Sequence, residues 1–177
     1  MRWFWLDRFT EFACGSHAVA VKGVSLSEDY LHDHMVGYPI MPNSLITEGM
    51  AQAGGLLVSE NYGFSELVVL GKLAKVEFHT CVRNGDQLTF RVEIEWVRGD
   101  GAAVKATAHV GDKLHAKALL FYARMGEGSE EMFGGRLFRP EVLQHWLSLV
   151  GVFEVGVKAD GSPMQEKDYP QFEICNA

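Results

Sequence analysis

A histidine and a glutamate on either side of a turn-rich segment are the residues of this sequence best suited to acid–base chemistry. Glu48 follows His34 by 14 positions (48 − 34), and the segment between them contains Gly37, Pro39 and Pro42. An imidazole exchanges its proton near neutral pH, and a carboxyl group removed from water can hold one there. Such a pair can take a proton from one atom of a substrate and deliver a proton to another.

Glu48 lies in a segment whose composition predicts a buried helix. Residues 45–58 are rich in Ala, Leu, Met and Gln, and they are too many for an ordinary strand. We expect the N-cap at Asn43 or Ser44, directly after Pro42. The helix is apolar or small on nearly all sides, which places it in the middle of a domain. Its glycines indicate that another element approaches its backbone closely.

One polar line interrupts this apolar helix. Ser44, Glu48 and Gln52 follow one another at intervals of four residues, so they share one face. A carboxylate on a buried helix is costly unless it is paired or protonated. Two interpretations of Glu48 therefore stay open: a general acid kept protonated by burial, and one half of a structural ion pair.

The histidine belongs to a His32-Asp33-His34 motif, which raises the question of a metal ion. No further Cys or His pair lies at a recognisable ligand spacing, and a zinc site usually takes three or four protein ligands. An acid–base role is therefore favoured, and neither a metal nor another cofactor is predicted.

The composition of the chain limits its class and its partners. The 177 residues are 47% hydrophobic and 22% charged, with a formal net charge of −7. These values predict a globular domain and argue against nucleic acid or an anionic membrane as the main partner. No run approaches the ~20 apolar residues of a membrane span. Three widely separated cysteines are typical of free thiols in a reducing cytoplasm: Cys14, Cys81 and Cys175.

The elements around the acid–base pair are predicted to be mainly β. Residues 18–26 are typical of a strand. Residues 88–96 alternate between apolar and polar side chains, as expected of a strand with one buried face. Strands near 104–110 and 113–123 would continue an antiparallel meander, and residues 70–80 should pair in the same sheet.

The composition changes after Met125. The following residues are typical of a linker, and a short helix is predicted over residues 140–150, with Pro140 at its first position. Its apolar stripe includes Trp146. We expect the protein itself to cover this stripe, because the helix lacks the basic polar face of helices that bind membrane surfaces.

The segment that joins the histidine to the glutamate resembles a known family. Residues 34–52 read HMVGYPIMPNSLITEGMAQ. Bacterial 3-hydroxyacyl-acyl-carrier-protein dehydratases have the similar signature H-F-P-G-x-P-x-M-P-G, four residues, then E-A-M-A-Q. Residues 22–25 (KGVS), 75–78 (KVEF) and 82–88 (VRNGDQL) also resemble family segments. The resemblance covers roughly residues 7–125.

The resemblance implies an α+β hot-dog fold, in which an antiparallel sheet wraps around one long central helix. Residues 1–125 would form this domain, and residues 126–177 a linker and a short helical extension. The resemblance also implies a homodimer, which could assemble further into a trimer of dimers. Each active site would take its histidine from one chain and its acid from the other.

The implied reaction is loss of water from a 3-hydroxyacyl thioester on acyl carrier protein, with His34 and Glu48 as the catalytic pair. The helix N-terminus would bind the thioester oxygen. Gln52 would either hydrogen-bond near the acid or only satisfy a buried polar group. The substrate-binding and oxyanion residues implied are Asn43, Ser44, Gln52, Gly37 and Pro42, and the candidates for contact with the acidic carrier are Lys72, Lys75 and Arg83.

Three departures from the family pattern leave other functions open. Met35 and Val36 replace the family's Phe-Pro, Asp33 replaces a glycine before the histidine, and Asn43 replaces the glycine that holds the thioester carbonyl. Asn still presents a backbone N–H, so we expect the oxyanion site to persist. The alternatives are an acyl thioesterase with the same fold and a protein that binds acyl thioesters without converting them.

Overall fold

Residues 4–126 and 140–173 are the part of the chain that the computed structural model describes. Its strands and helices, in chain order, are β1 (Arg8–Ala13), β2 (His17–Gly23), α1 (Tyr30–Asp33), α2 (Asn43–Glu60), β3 (Leu67–Phe78), β4 (Gln87–Arg98), β5 (Gly101–Val110), β6 (Lys113–Met125), α3 (Pro140–Leu149), α4 (Val152–Val155), β7 (Gly156–Val157) and α5 (Pro170–Glu173).

The strands form one seven-stranded sheet in the order β3-β6-β5-β4-β2-β1-β7. The predicted meander is confirmed, since β4 pairs antiparallel with β5 and β5 with β6. β3 joins the same sheet through β6. Among the described strands, the one parallel pair is β1 with β7, a strand of two residues that was not predicted.

The alternation predicted for β4 is confirmed over most of the strand. Leu88, Phe90 and Val92 are buried, whereas Arg91 and Glu93 are exposed. Beyond Ile94 the register with β5 shifts, and the next residues no longer alternate cleanly. A bulge of this kind bends a strand, which suits a sheet that must curve around a helix.

The long helix α2 occupies the middle of this sheet, as predicted, and it contacts every strand from β2 to β6. As predicted, side chains of the sheet approach its backbone closely at the glycines. A Cβ atom at Gly49 would collide with the ring of Phe90, and a Cβ atom at Gly54 would lie 2.6 Å from the hydroxyl oxygen of Tyr122. The glycines therefore let the sheet side chains reach the helix backbone.

The prediction of an N-cap at Asn43 or Ser44 is wrong. Pro42 occupies the N-cap position with φ −57° and ψ 136°, and both polar residues lie inside the helix. The carbonyl oxygen of Pro42 accepts the N–H groups of Leu45 (3.0 Å) and Ile46 (3.3 Å). Proline at this boundary has an extended backbone conformation and starts the helix without a side-chain cap.

The C-terminal residues pack onto the same core. The predicted helix is present as α3, and Trp146 on its apolar stripe is covered by Phe4, with ring centroids 5.0 Å apart. The backbone N–H of Phe9 donates to the carbonyl oxygen of Val150 at 2.7 Å. Apart from Gly126, the predicted linker lies outside the described residues. No described helix is long and apolar enough to cross a bilayer.

Candidate active site

His34 lies at the C-terminal end of α1. Its backbone N–H donates to the carbonyl oxygen of Tyr30 at 3.2 Å, and its side chain is exposed. His32 does not share a ligand set with it, because its Nε2 lies 2.7 Å from the carbonyl oxygen of Leu26. Among the residues described, no three His, Cys, Asp or Glu side chains come together as a metal site would require.

A buried lysine fixes the segment that leads to this histidine. The Nζ of Lys22 on β2 lies 2.7 Å from the Glu28 carboxylate and 3.4 Å from the Asp7 carboxylate. Asp7 also accepts the N–H of Gly23 at 2.7 Å. Because a buried charge is stable only when it is paired, these contacts hold residues 24–29 against β2 just before α1 begins.

The loop between His34 and α2 is held by backbone contacts. Gly37 adopts φ +78°, a conformation that favours glycine, in the turn where the N–H of Tyr38 donates to the carbonyl oxygen of Met35 at 2.9 Å. The N–H of Met41 donates to Val82 at 2.8 Å. The buried Pro42 then leads directly into α2.

The N-terminus of α2 presents two backbone donors beside this loop. The first intrahelical bond is made by Leu45, so the N–H groups of Asn43 and Ser44 precede it and have no acceptor within the helix. Both residues are exposed. The helix dipole adds partial positive charge at the same point, which favours an oxygen that carries negative charge.

Gln52 holds the carboxylate of Glu48 from one helical turn away. Its Nε2 donates to Oε1 of Glu48 at 2.8 Å, and its own Oε1 accepts the backbone N–H of Trp5 at 2.9 Å. The second bond ties the N-terminal segment to α2 and orients the amide. The carboxylate is therefore positioned by a side chain that is itself fixed.

The prediction that Glu48 is buried is wrong for the single chain. The strands cover the faces of α2 that carry residues such as Ile46, Met50 and Leu57, and Glu48 lies on a face that they leave exposed. In the described residues, neither a hydrogen bond nor an ion pair joins Glu48 to His34. Composition alone could not show this, because it does not say which side of a helix another molecule covers.

A cavity of about 300 Å³ begins at Glu48 and follows α2. The helix lines it at Glu48, Gln52, Gly55 and Ser59, residues three or four positions apart that form one face. At 1.5 Å per residue, the stretch from Glu48 to Ser59 spans roughly 16 Å. The start of β3, Tyr122 and side chains from α3 and α5 complete the walls, which are mainly apolar.

Tyr122 on β6 connects this cavity to the helix. Its hydroxyl donates to the carbonyl oxygen of Ala51 at 2.8 Å. Burial, and after it the nearby charge of Glu48, raise the pKa of Tyr122, so the phenol stays neutral. This residue was not predicted, because the strand pattern does not distinguish one inward-facing tyrosine from any other core side chain.

The three basic residues predicted to meet a carrier protein lie in two different places, the segment before β4 and the strand β3. Arg83 adjoins the loop after His34, where it donates to the hydroxyl of Tyr38 at 2.6 Å and stacks over its ring at 4.7 Å. Lys72 and Lys75 are exposed on β3. Lys75 pairs with Glu77 at 2.5 Å, so its charge is partly compensated.

Residues 4–118 match the family model described as a FabA-like domain. The chain belongs to the FabA-like family. The matched range contains His34, Glu48 and all of α2, whereas the residues from 140 onward lie beyond it.

Curated relatives of this FabA-like chain share its matched region. A 3-hydroxyacyl-acyl-carrier-protein dehydratase FabZ of Koribacter versatilis is 41% identical over 115 residues, which cover 64% of this chain and 74% of the relative. The FabZ of Clostridioides difficile is 38% identical over 121 residues, which cover 67% and 84%. That of Symbiobacterium thermophilum is 38% identical over 127 residues, which cover 71% and 89%.

Solved structures confirm the predicted α+β hot-dog fold. The dehydratase heterocomplex ApeI:P from Xenorhabdus doucetiae superposes with a TM-score of 0.61 at 13% identity, covering 75% of this chain and 90% of that chain. An uncharacterized protein from Pyrococcus horikoshii gives a TM-score of 0.58 at 16% identity, covering 70% and 86%. At these identities the likeness shows the fold and no more.

Proposed function

We propose that this FabA-like chain removes water from a 3-hydroxyacyl thioester on acyl carrier protein and releases the trans-2-enoyl thioester. Its place would be fatty acid synthesis or a related lipid or polyketide pathway. The observation that carries the proposal is the arrangement at the start of α2. The free N–H groups of Asn43 and Ser44 and the Gln52-held carboxylate of Glu48 lie on one helix, beside an apolar cavity.

The first half of the reaction is removal of the α-proton. The thioester oxygen accepts the N–H groups of Asn43 and Ser44, and the helix dipole stabilises the negative charge that develops there. With that charge stabilised, the imidazole of His34 takes the α-proton and the electron pair of the C–H bond moves toward the carbonyl.

The second half is departure of the β-hydroxyl. Glu48 in its protonated form delivers a proton to that oxygen, the C–O bond breaks, and water and the α,β-double bond form. Gln52 keeps the carboxyl group directed at the leaving oxygen. Gly37 and Pro42 shape the loop that brings the histidine toward the start of the helix.

The proposed functional unit is a homodimer. His34 and Glu48 are both exposed in the single chain, and they do not contact each other. The edge strand β3 exposes Leu70, Leu73 and Phe78, apolar side chains that a second chain would cover. Placing the histidine of one chain near the glutamate of the other would also remove Glu48 from water, as a general acid requires.

The acyl chain of the substrate would lie in the cavity along α2. Its walls are mainly apolar and its volume of about 300 Å³ suits a small-molecule chain. Arg83, beside the loop of His34, is the basic residue best placed to meet an acidic carrier in the cytoplasm, and Lys72 on the edge strand is a second contact. Lys75 is a weaker contact, since Glu77 already pairs with it.

The proposal is tested by incubating the protein with crotonyl and 3-hydroxybutyryl thioesters. A dehydratase interconverts the two, so the enoyl thioester absorbance falls or rises while no free thiol appears. Release of thiol would instead identify a thioesterase. Saturable binding of both thioesters without conversion would identify an acyl-binding protein. Either of these results would overturn the proposal.

A further inference from the structure

The C-terminal extension, residues 140–173, supplies part of the wall of the cavity. Leu143 and Trp146 on α3 and Gln171 on α5 line it together with α2. All three lie beyond residues 4–118, the range of the FabA-like match. A wall built from these residues is therefore a feature added to the family domain.

The extension is linked to α2 at both ends of the cavity, through the N-terminal segment at one end and through the residues after the helix at the other. The ring of Trp146 packs on Phe4, whose neighbour Trp5 donates its backbone N–H to Gln52. At the other end, the side-chain amide of Gln171 donates to the carbonyl oxygen of Gly63, just after α2. The extension therefore follows the cavity along the length of the helix.

The extension is a fixed wall. Leu147 is fully buried, and backbone bonds join Phe9 to Val150 at 2.7 Å and Cys14 to Val157 at 2.9 Å. The hydroxyl of Tyr169 adds a bond to the Glu60 carboxylate at 3.1 Å. With these contacts to β1 and to the end of α2, side chains on the extension cannot move aside without breaking core packing.

Trp146 presents its ring carbons to the cavity. Its Nε1 is inaccessible to water and has no hydrogen-bond partner among the described residues, so this polar edge does not face the open space. A buried donor without an acceptor is unfavourable. The size and shape of the indole ring, and not a hydrogen bond, therefore account for what Trp146 does at the wall.

We propose that the extension determines which acyl chains the enzyme accepts, with Trp146 as the side chain that limits the space for the chain. The inference rests on the proposed function in one respect, namely that the cavity receives the acyl group. The ligand is the apolar part of an acyl thioester. The part of the cavity that limits its length is the α3 wall formed by Leu143 and Trp146.

The test is a chain-length series of 3-hydroxyacyl thioesters with the wild type and with Trp146→Ala and Leu143→Phe. In Trp146→Ala, kcat/KM for chains longer than the wild-type optimum should rise relative to the optimum by about fourfold per methylene that gains a buried position. In Leu143→Phe the optimum should move to shorter chains. Trp146→Phe removes only one of the two fused rings and should give a smaller rise for long chains than Trp146→Ala.

Leu147→Ala is the matched control. Leu147 is the neighbour of Trp146 and fully buried, but it does not line the cavity. It should lower the melting temperature and leave the chain-length profile unchanged. An unshifted profile in Trp146→Ala and Leu143→Phe would overturn the inference. So would an equal shift in Leu147→Ala, because the effect would then come from loosening and not from the wall.

A binding measurement separates this inference from the proposed reaction. Calorimetric titration with unreactive 3-hydroxyalkyl thioethers of increasing length measures binding in the cavity whether or not the wild type dehydrates any substrate. A shift of the preferred length in the folded Leu143→Phe variant supports the extension as the wall even if turnover is absent. Affinities that do not depend on length in the wild type would overturn it.

Discussion

The family-matched region and the C-terminal extension contribute to the same cavity in opposite ways. In the matched region, the two side chains proposed for catalysis, His34 and Glu48, are exposed on the single chain. In the extension, the wall residues Trp146 and Leu143 are 4% and 9% exposed, and neither has a group suited to proton transfer. The acid–base side chains are therefore accessible to substrate and to a second chain, whereas the extension contributes a packed wall that shapes the cavity.

The largest expected effect of this difference is on rate. Glu48→Gln and His34→Asn should each lower kcat by roughly 10²- to 10⁴-fold, the usual contribution of one general acid or base. Because both side chains are exposed in the chain, thermal unfolding should change little. Hydration of crotonyl thioester and a thermal melt measure the two effects, with Glu141→Gln on α3 as an exposed-acid control. Full activity in either variant would contradict the assignment.

Mixing two inactive variants tests whether the histidine and the glutamate of one active site come from different chains. If each site takes its histidine and its acid from different chains, His34→Ala mixed with Glu48→Ala should regain activity after subunit exchange. Random pairing at equal amounts gives about half mixed dimers with one intact site of two, so roughly a quarter of wild-type activity returns. No recovery after proven exchange would mean that both groups act within one chain.

The next largest effect is on the free energy of unfolding, through the close packing of α2 against the sheet. Gly49→Ala forces a methyl group against the Phe90 ring and should destabilise the protein by about 1–3 kcal/mol. Gly55→Ala is the matched substitution six residues further along the helix, where the nearest atom of Tyr122 is 3.4 Å from the new Cβ. It should be neutral or stabilising, because Ala is the better helix former. Equal losses in urea unfolding would show that the Phe90 contact is not the cause.

The smallest effect concerns two cysteines of the matched region, one of which the extension covers. Cys81 is exposed, whereas Cys14 lies beneath the extension with its Sγ 3.8 Å from the Met164 sulfur. Burial, and then the charge of Glu60, raise the pKa of Cys14 to about 12. At pH 8 iodoacetamide should therefore label Cys81 well before Cys14, as read by peptide mapping. Comparable rates at both sites would contradict this.

The same shift sets a direction for stability with pH. The pKa of the Cys14 thiol is higher in the folded chain than its ordinary 9.0, so the folded state keeps the proton more strongly than the unfolded state does. The associated stability is complete below pH 9.0 and is lost as the pH rises toward about 12.

Met164→Ala removes the side chain that covers the Cys14 sulfur. It should speed the labelling of Cys14 and leave the labelling of Cys81 unchanged.

Local patterns were enough to predict the main elements. The alternation from Leu88 to Ile94 predicted β4, and the length and composition of residues 45–58 predicted α2. The glycines predicted close approach, which Phe90 and Tyr122 make. These features depend on the periodicity of apolar residues and on residue size, and both are evident from neighbouring residues in the sequence.

What could not be predicted depends on contacts between distant parts of the chain or on another chain. Nothing local in the sequence connects Trp5 with Gln52, Phe9 with Val150, or Trp146 with the cavity. The exposure of Glu48 was missed for a related reason. The helix pattern predicts that the polar residues share one face. It does not predict whether the sheet or a second chain covers that face.

The pairing of the extension with β1 makes the two borders of the sheet unequal. The outward N–H groups of Phe9 and Cys14 are taken up by Val150 and Val157, whereas the twelve residues of β3 carry no further strand on their outer side in the described chain. A sheet with two free borders can add copies of itself without end, and one with a single free border can add a copy only once. In the proposed homodimer, pairing between strands of the two chains would therefore use the β3 border, because the C-terminal residues already occupy donors at the β1 border.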